Sequence, residues 1–170
     1  MPKLYFTNLP QESQLEDRFP GIDGLTLHTH ILLRKVSAEL ESNLDSYFSQ
    51  YGLSSGRYTL LILLSQSLEG KGMMPSEIAA AVGVTQATIS GLINSLEKAQ
   101  LVKRASHEKD GRSFVIQLTP QGKEMVEKVT PHYFARLNDF WAQFDELEKK
   151  ALAQMFTRMV ASVGKLGQPL

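Results

Sequence analysis

The spacing of apolar residues predicts a chain that is mostly helical. From about Gly24 to Tyr51, apolar residues recur with a period close to 3.6, which is typical of an amphipathic helix. A second helix is predicted to start at Ser54 or Ser55, either of which can cap it. Its segment Leu60–Leu64 is apolar on every side. We therefore expect the second helix to be central and buried.

Two shorter helices follow, with a tight turn between them. Pro75 suits the first position of the third helix, because its φ is already helical and its missing N–H would have had no partner there. Gly83 ends that helix, where a positive φ is needed. Thr85 can cap a fourth helix, whose apolar residues recur at i, i+3, i+4 and i+7: Ile89, Leu92, Ile93 and Leu96. This pattern predicts a helix–turn–helix.

A β-hairpin is predicted next, and two more helices after it. The β-like runs Leu101–Ala105 and Phe114–Leu118 flank a polar segment in which Asp110-Gly111 is a turn signal. Thr119-Pro120 can begin a fifth helix, and Asp145 can cap a sixth. The predicted fold is mainly α with a small β-wing, which is a winged helix–turn–helix joined to a helical dimerisation region.

These elements divide the chain into three predicted parts. Residues 1–23 form an irregular N-terminal arm, residues 53–118 form the DNA-binding winged helix–turn–helix, and residues 24–52 with 119–170 form the dimerisation region. Apolar side chains of the last two helices would have nothing to bury against in a lone winged helix, so we expect a homodimer. The predicted interface contains Trp141, Phe144, Leu152, Phe156 and Met159.

The outward face of the fourth helix predicts contact with DNA. Segment Thr85–Ser95 carries no charge, whereas a merely solvated helix face is usually rich in Glu and Lys. Gln and Asn can pair with adenine in the major groove, and Ser or Thr can bond to several base edges. Gly91 costs about 1 kcal/mol relative to Ala in mid-helix, which close approach to another surface would explain; drift on a tolerant surface is the alternative. The residues predicted to contact DNA from these helices are Ser54, Thr85, Gln86, Ala87, Thr88, Ser90, Gly91, Asn94 and Lys98.

The hairpin adds a group of charged residues beside that helix. Lys103, Arg104 and Lys109 suit contacts with phosphates, and Arg112 can reach into a minor groove from the hairpin tip. Asp110 belongs to the same predicted DNA-binding set. For single residues near the tip, a solvated turn is the alternative.

The charge balance of the whole chain conceals an uneven distribution. Its 18 Lys and Arg cancel its 18 Asp and Glu, whereas DNA-binding domains are usually basic. Counted by segment, residues 1–50 carry 4 basic and 7 acidic side chains, residues 51–125 carry 8 and 6, and residues 126–170 carry 6 and 5. The helix–turn–helix and wing are thus the more basic part, and we expect salt-dependent DNA binding.

Several other classes of function find no support. The chain has no Cys, which removes disulfides, thiolate metal sites and cysteine nucleophiles. His28 and His30 are two residues apart and point to opposite sides of a helix, so no metal site is expected. No serine-hydrolase, P-loop or dinucleotide motif is present, so we expect neither an enzyme nor a cofactor. No export signal or membrane segment is predicted, which favours a cytoplasmic location.

Two segments resemble the MarR family of bacterial winged-helix regulators over roughly residues 25–163. They are PSEIAAAVGVTQATISGLINSLEKAQLVKR and DGRSFVIQLTPQGKE. Asp110-x-Arg112 matches the D-x-R wing motif of the family, which implies that Arg112 enters the minor groove and that Asp110 orients a nearby arginine. Gly91 departs from the family, where many members have arginine. The N-terminal Arg-Phe-Pro, the long first helix and an expected kink at Pro131 in the fifth helix look most like the EmrR-like multidrug-efflux repressor branch.

The resemblance implies a homodimeric transcription factor, often a repressor, that binds a palindromic operator in double-stranded DNA. It also implies release by a small, aromatic or anionic effector, bound in a family pocket near the first, second and fifth helices. The pocket candidates are His28, Arg57, Tyr58, Met73 and His132. Core roles for Tyr58 and Met73, and a phosphate contact for Arg57, remain open. Two alternative functions also remain open. One is a winged helix that makes protein–protein contacts. The other is a regulator of virulence or stress genes that acts by activation or counter-silencing.

Overall fold

A computed structural model describes residues 21, 23–67, 71–107 and 110–168. The predicted N-terminal arm lies outside these residues, except for Gly21 and Asp23. The described part confirms the predicted fold class, with six α-helices, a two-stranded sheet and a final 3₁₀ turn at Val163–Gly167. In chain order the elements are α1 Gly24–Ser49, α2 Ser55–Ser65, α3 Pro75–Val82, α4 Gln86–Lys98, β1 Val102–His107, β2 Asp110–Leu118, α5 Pro120–Trp141 and α6 Glu146–Ser162.

Side-chain caps fix where several helices start. The carboxylate of Asp23 accepts hydrogen bonds from the hydroxyl and N–H of Thr26 and from the N–H of Leu25. The bond from the Thr26 side chain is the main cause that lowers the pKa of Asp23 below its ordinary value of 3.8. At α6, Asp145 and Glu148 cap each other's N–H groups at 2.9 and 2.8 Å, which forms a capping box and confirms the predicted cap at Asp145.

The core is built around α2, as its apolar sequence predicts. Leu60, Leu61 and Leu64 are buried. The ring of Tyr58 stacks on Phe48 of α1, with centroids 4.3 Å apart. Burying these side chains removes apolar surface from water and is the main force that holds the helices together. The other buried apolar residues of α3, α4 and the sheet are Ile78, Ala79, Ile89, Ile93, Leu96, Val102, Val115 and Ile116.

The wing is a longer hairpin than the apolar pattern indicates. Strands β1 and β2 are antiparallel, and the ladder extends from Val102↔Leu118 to His107↔Asp110. The predicted turn at Asp110-Gly111 is therefore wrong, because β2 already begins at Asp110. Main-chain pairing needs no apolar side chain, so polar residues can continue the ladder. Met73 pairs with Ile116 through two backbone hydrogen bonds of 3.1 and 2.8 Å, which attaches the loop before α3 to the wing.

A glycine allows α5 to start directly against the base of the wing. The N–H of Thr119 donates to the carbonyl of Leu101 at 3.1 Å, and the Thr119 hydroxyl accepts from the N–H of Gly122 at 3.0 Å. A Cβ at Gly122 would overlap that Leu101 carbonyl oxygen and lie 3.0 Å from its carbon. Position 122 thus has a steric reason for its glycine.

The chain divides into two compact units, residues 1–126 and residues 127–170. The first contains α1 to α4, the wing and the start of α5, and the second contains the rest of α5 and α6. No single helix in the described part is long and apolar enough to cross a membrane. Only α3 and α4 taken together pass that length and composition test, and they meet at a bend of 114°.

Candidate nucleic-acid interface

The face of α4 that was predicted to contact DNA is exposed along its whole length. Ile89, Ile93 and Leu96 are buried and fix which side of the helix points inward. The exposed residues on the other side are Gln86, Ala87, Thr88, Ser90, Gly91, Asn94 and Lys98. Because the charge-free segment Thr85–Ser95 supplies all of them except Lys98, the surface is polar, small and nearly neutral.

Hydroxyl groups on this face already have hydrogen bonds within the helix. Thr85 caps α4, and its hydroxyl accepts from the N–H of Thr88 at 3.2 Å and lies 2.9 Å from the Thr88 hydroxyl. Ser90 donates to the carbonyl of Gln86 at 2.8 Å. A hydroxyl that donates in this way still offers lone pairs to a donor outside the helix.

Gly91 is exposed on the same face, and the described neighbours do not require a glycine there. A Cβ at this position would meet no atom of the described chain within 4 Å. Packing inside the described chain therefore does not explain why glycine, a residue of low helix propensity, occupies position 91. Close approach of an external surface and neutral drift are the two explanations that remain.

The wing residues predicted to contact DNA lie on both strands. Lys103 and Arg104 are exposed on β1, while Asp110 and Arg112 belong to β2. Lys109 lies outside the described residues. Lys103, Arg104 and Asp110 thus have partners in the ladder, and Arg112 lies in β2 at the place where the register of the ladder shifts.

Arg104 makes three contacts, two of them with α4, the predicted recognition helix, and one with β2. Its Nη2 donates to Oδ1 of Asn94 at 2.8 Å, and its Nε lies 3.3 Å from Oε2 of Glu97. Its guanidinium carbon lies 4.9 Å from the centre of the Phe114 ring on β2. Sequence reasoning missed Glu97 and Phe114 as partners. The i, i+3 spacing of Asn94 and Glu97 on one helix face was the available signal, but it does not identify the arginine.

Ser54 and Arg57 connect the start of α2 to the back of α4. The Ser54 hydroxyl accepts from the backbone N–H of Arg57 at 3.3 Å and from its Nε at 3.4 Å. Arg57 Nη1 donates to the Ser95 hydroxyl at 3.4 Å. Both side chains are half-buried. Arg57 thus helps to hold α4 in place.

The structure gives the effector candidates different surroundings. Tyr58 is a core residue with 5% exposure, and Met73 is half-buried at the edge of the sheet. His28 is half-buried in α1, and His132 is exposed in α5, within the unit formed by residues 127–170. A separate open cleft of about 320 Å³ lies among α1 to α4. Its lining includes Glu41 and Leu92 but none of the five candidates.

Apolar side chains remain uncovered in both units. In α1, Leu25, Leu32, Val36 and Leu40 are exposed along one helical stripe. In the second unit, Trp141 and Phe144 pack with Phe140 in an aromatic cluster, and Leu152 and Met159 are half-buried. Phe156 is 43% exposed and Val160 is 77% exposed. The described chain leaves α6 without a single buried residue.

Among the described residues, no group of three or more His, Asp or Glu side chains could hold a metal ion. His28 and His30 belong to the same helix, α1, and their two-residue spacing points them to opposite sides.

Comparison with known proteins gives consistent matches. A family model described as "MarR family" matches residues 51–113. The HTH-type transcriptional repressor YetL of Bacillus subtilis is 30% identical over 147 residues, covering 84% of this chain and 87% of that protein. The HTH-type transcriptional regulator PecS of Dickeya dadantii is 30% identical over 146 residues, covering 86% and 88%.

Solved structures agree with these matches. The crystal structure of the Staphylococcus aureus MepR–DNA complex matches with a TM-score of 0.71 and 25% identity, over 79% of this chain and 95% of that chain. AbsC, a MarR family transcriptional regulator from Streptomyces coelicolor, matches with a TM-score of 0.71 and 28% identity, over 88% and 98%.

Proposed function

Since the chain belongs to the MarR family, whose members are transcription regulators and not enzymes, we propose that it represses transcription by binding operator DNA as a homodimer. Its place of action is the cytoplasm. The relative YetL is named a transcriptional repressor, and MepR has been crystallised with DNA. The narrower likeness to the EmrR-like branch stays a prediction.

The observation that carries this proposal is the exposed, nearly neutral face of α4 beside the wing. A helix that enters the major groove needs small polar side chains that can approach base edges, and Gln86, Ser90 and Asn94 supply them. Lys98 and Lys103 lie exposed nearby and suit the phosphates on either side. The surface therefore combines groups for base contacts with a few charges that position the protein.

The uncovered apolar residues support the dimer. Leu32 and Val36 in α1, and Phe156 and Val160 in α6, are exposed, and apolar surface of this kind favours contact with another molecule. A two-fold dimer places its recognition helices about 34 Å apart, one turn of DNA, so its operator is palindromic.

Release by a small effector is the finer part of the proposal. We expect an aromatic, anionic compound, as the family resemblance implies, and half-buried Arg57 is the cation among the pocket candidates. Arg57 contacts Ser95 of α4, so a ligand that drew Arg57 away would remove one of the bonds that hold the recognition helix.

A gel-shift titration tests the proposal. The purified protein is titrated onto DNA from upstream of its own gene at two salt concentrations, with unrelated DNA as the control. We expect a specific complex whose affinity falls as salt rises. A protein that forms no such complex on any upstream fragment is not an operator-binding regulator. If salicylate-like compounds never weaken an established complex, the effector part fails alone.

A further inference from the structure

One contact on the α4 surface restricts what Asn94 can present to DNA. The Asn94 amide has an oxygen that accepts hydrogen bonds and an NH₂ group that donates them. The guanidinium of Arg104 has only donors, so the Asn94 atom that faces it at 2.8 Å must be the oxygen. Chemistry alone therefore settles the orientation of this amide. The NH₂ group points away from Arg104, and it has no hydrogen-bond partner within the described part of the chain.

Arg104 is held where it can maintain this orientation. Glu97 lies 3.3 Å from its Nε, and the Phe114 ring lies under its guanidinium at 4.9 Å. The planar guanidinium can satisfy both oxygen partners together, since its donors form a fixed fork. Turning the Asn94 amide over would place its NH₂ group against the donors of Arg104 and lose a charge-assisted hydrogen bond.

The contrast with Ser90 shows why this matters for base recognition. Ser90 lies one turn before Asn94 on the same exposed face, and its hydroxyl donates to the Gln86 carbonyl. Rotation about one side-chain bond lets that hydroxyl exchange donor and acceptor roles at little cost. Asn94 has no such freedom while Arg104 is in place. The two neighbouring residues therefore differ in how strictly they discriminate bases.

We propose that Arg104 is a positioning residue that fixes Asn94 as a hydrogen-bond donor, so that Asn94 selects a base edge that offers acceptors and no donor. This inference rests on the proposed function. Guanine offers the acceptors N7 and O6 in the major groove and thymine offers the acceptor O4, whereas adenine has an N6 donor beside its N7 acceptor and would require the Asn94 oxygen as well. At the base pair that Asn94 contacts, guanine or thymine is therefore preferred on the contacted strand.

Five proteins test the proposal: the wild type, Arg104→Lys, Glu97→Gln, Asn94→Ala and the double variant of Arg104→Lys with Asn94→Ala. Lysine keeps the positive charge at position 104 but cannot hold Asn94 and Glu97 with one planar group. The operator is first selected from random DNA with the wild type. The affinity of each protein is then measured with all four base pairs at each half-site position, and the salt dependence is recorded for the preferred site.

We expect Asn94→Ala to abolish discrimination at one half-site position, where the wild type prefers guanine or thymine by about tenfold. Arg104→Lys should reduce that same preference to about threefold or less, or move it toward adenine, with an unchanged salt slope. In the Asn94→Ala background, Arg104→Lys should change no base preference further. Glu97→Gln, which retains Asn94 but weakens the hold on Arg104, should shift the preference in the same direction by a smaller factor.

Three results would overturn the inference while leaving operator binding intact. The first is an equal loss of affinity by Arg104→Lys for all four base pairs, which is the behaviour of a phosphate contact. The second is a change of base preference by Arg104→Lys that persists in the absence of Asn94. The third is an Asn94→Ala variant that discriminates bases as the wild type does. If the wild type selects no DNA at all, the proposed function itself fails. Circular dichroism melting of every variant verifies that it folds.

Discussion

The two compact units of this chain, residues 1–126 and residues 127–170, differ in how they bury apolar side chains. The first contains the core around Leu61 and Ile93, together with the exposed face of α4. In the second, Val129 is the one apolar residue that is buried among those described. The first unit thus has a core of its own. The second leaves apolar side chains such as Phe156 and Val160 exposed. The proposed function therefore places DNA contact on α4 and the wing, and the subunit interface on α6 and on the exposed stripe of α1.

The largest effect should come from a charge placed in the uncovered surface of α6. Phe156→Glu puts a carboxylate where we expect two subunits to meet, and a buried unpaired charge is strongly unfavourable. The variant should sediment as a monomer at micromolar concentration. Its operator affinity should fall by about a hundredfold or more, because two linked half-site contacts become one.

Gln154→Glu is the matched control for this change, since it adds the same charge at an exposed position of the same helix. It should remain dimeric and bind DNA nearly as the wild type does. A dimeric Phe156→Glu variant with wild-type affinity would remove α6 from the interface.

A substitution in the first unit should affect folding and not assembly. Gly122→Ala forces a Cβ onto the Leu101 carbonyl at the base of the wing, and overpacking of this kind costs roughly 2 kcal/mol of unfolding free energy. Gly164→Ala is its control, because a Cβ there meets nothing of the described chain within 4 Å. Urea unfolding monitored by circular dichroism compares the two. Equal stability of both variants would mean that the close contact at Gly122 is not important.

The prediction for the wing concerns only the affinity of the protein for operator DNA. Arg112→Ala should weaken operator binding about tenfold or more if this residue enters the minor groove, as the D-x-R motif implies. Lys165→Ala removes one positive charge from the exposed 3₁₀ turn of the second unit and should have little effect. Gel shifts at one salt concentration compare the two. Equal losses would refute the placement of Arg112 in the groove.

A substitution at Gly91 distinguishes an effect on stability from an effect on DNA contact within one helix. Gly91→Ala fills open space on α4, so it should raise the unfolding free energy by about 0.5–1 kcal/mol through helix propensity. If the backbone at Gly91 approaches DNA closely, the same variant should bind its operator less tightly. A more stable protein with unchanged affinity would identify this glycine as neutral drift.

The smallest effect concerns the start of α1. The Thr26 hydroxyl lowers the pKa of Asp23 below 3.8, so the cap contributes fully above pH 3.8 and is lost as pH falls through the lower pKa of the folded state. Thr26→Val should raise the Asp23 pKa toward 3.8, as followed by NMR of the carboxyl carbon. An unchanged value would mean that the backbone bonds alone determine it.

The helix–turn–helix could be predicted from sequence because its signals are local. Thr85, Pro75 and Gly83 determine helix ends through their own backbone chemistry, and the period of Ile89, Ile93 and Leu96 settles which face of α4 is exposed. For the same reason the exposed DNA-contact candidates on α4 could be identified in advance.

Other features depend on contacts that no local pattern contains. The attachment of Arg104 to Asn94 requires the wing to lie against α4, and the apolar pattern says nothing about that packing. The extra length of the hairpin comes from main-chain pairing of polar residues such as Ser106 and His107. The family resemblance makes Met73 a pocket candidate, whereas its pairing with Ile116 follows only from the folded sheet.

Selection of binding sites from random DNA tests the central claim most directly, namely that an uncharged helix face on a dimer contacts specific bases. Our account predicts enrichment of an inverted repeat whose half-sites are about 10 base pairs apart, centre to centre, as two recognition helices one DNA turn apart require. Phe156→Glu should not enrich that repeat. Failure of the wild type to enrich any sequence, or enrichment of a single unrepeated site, would contradict the account.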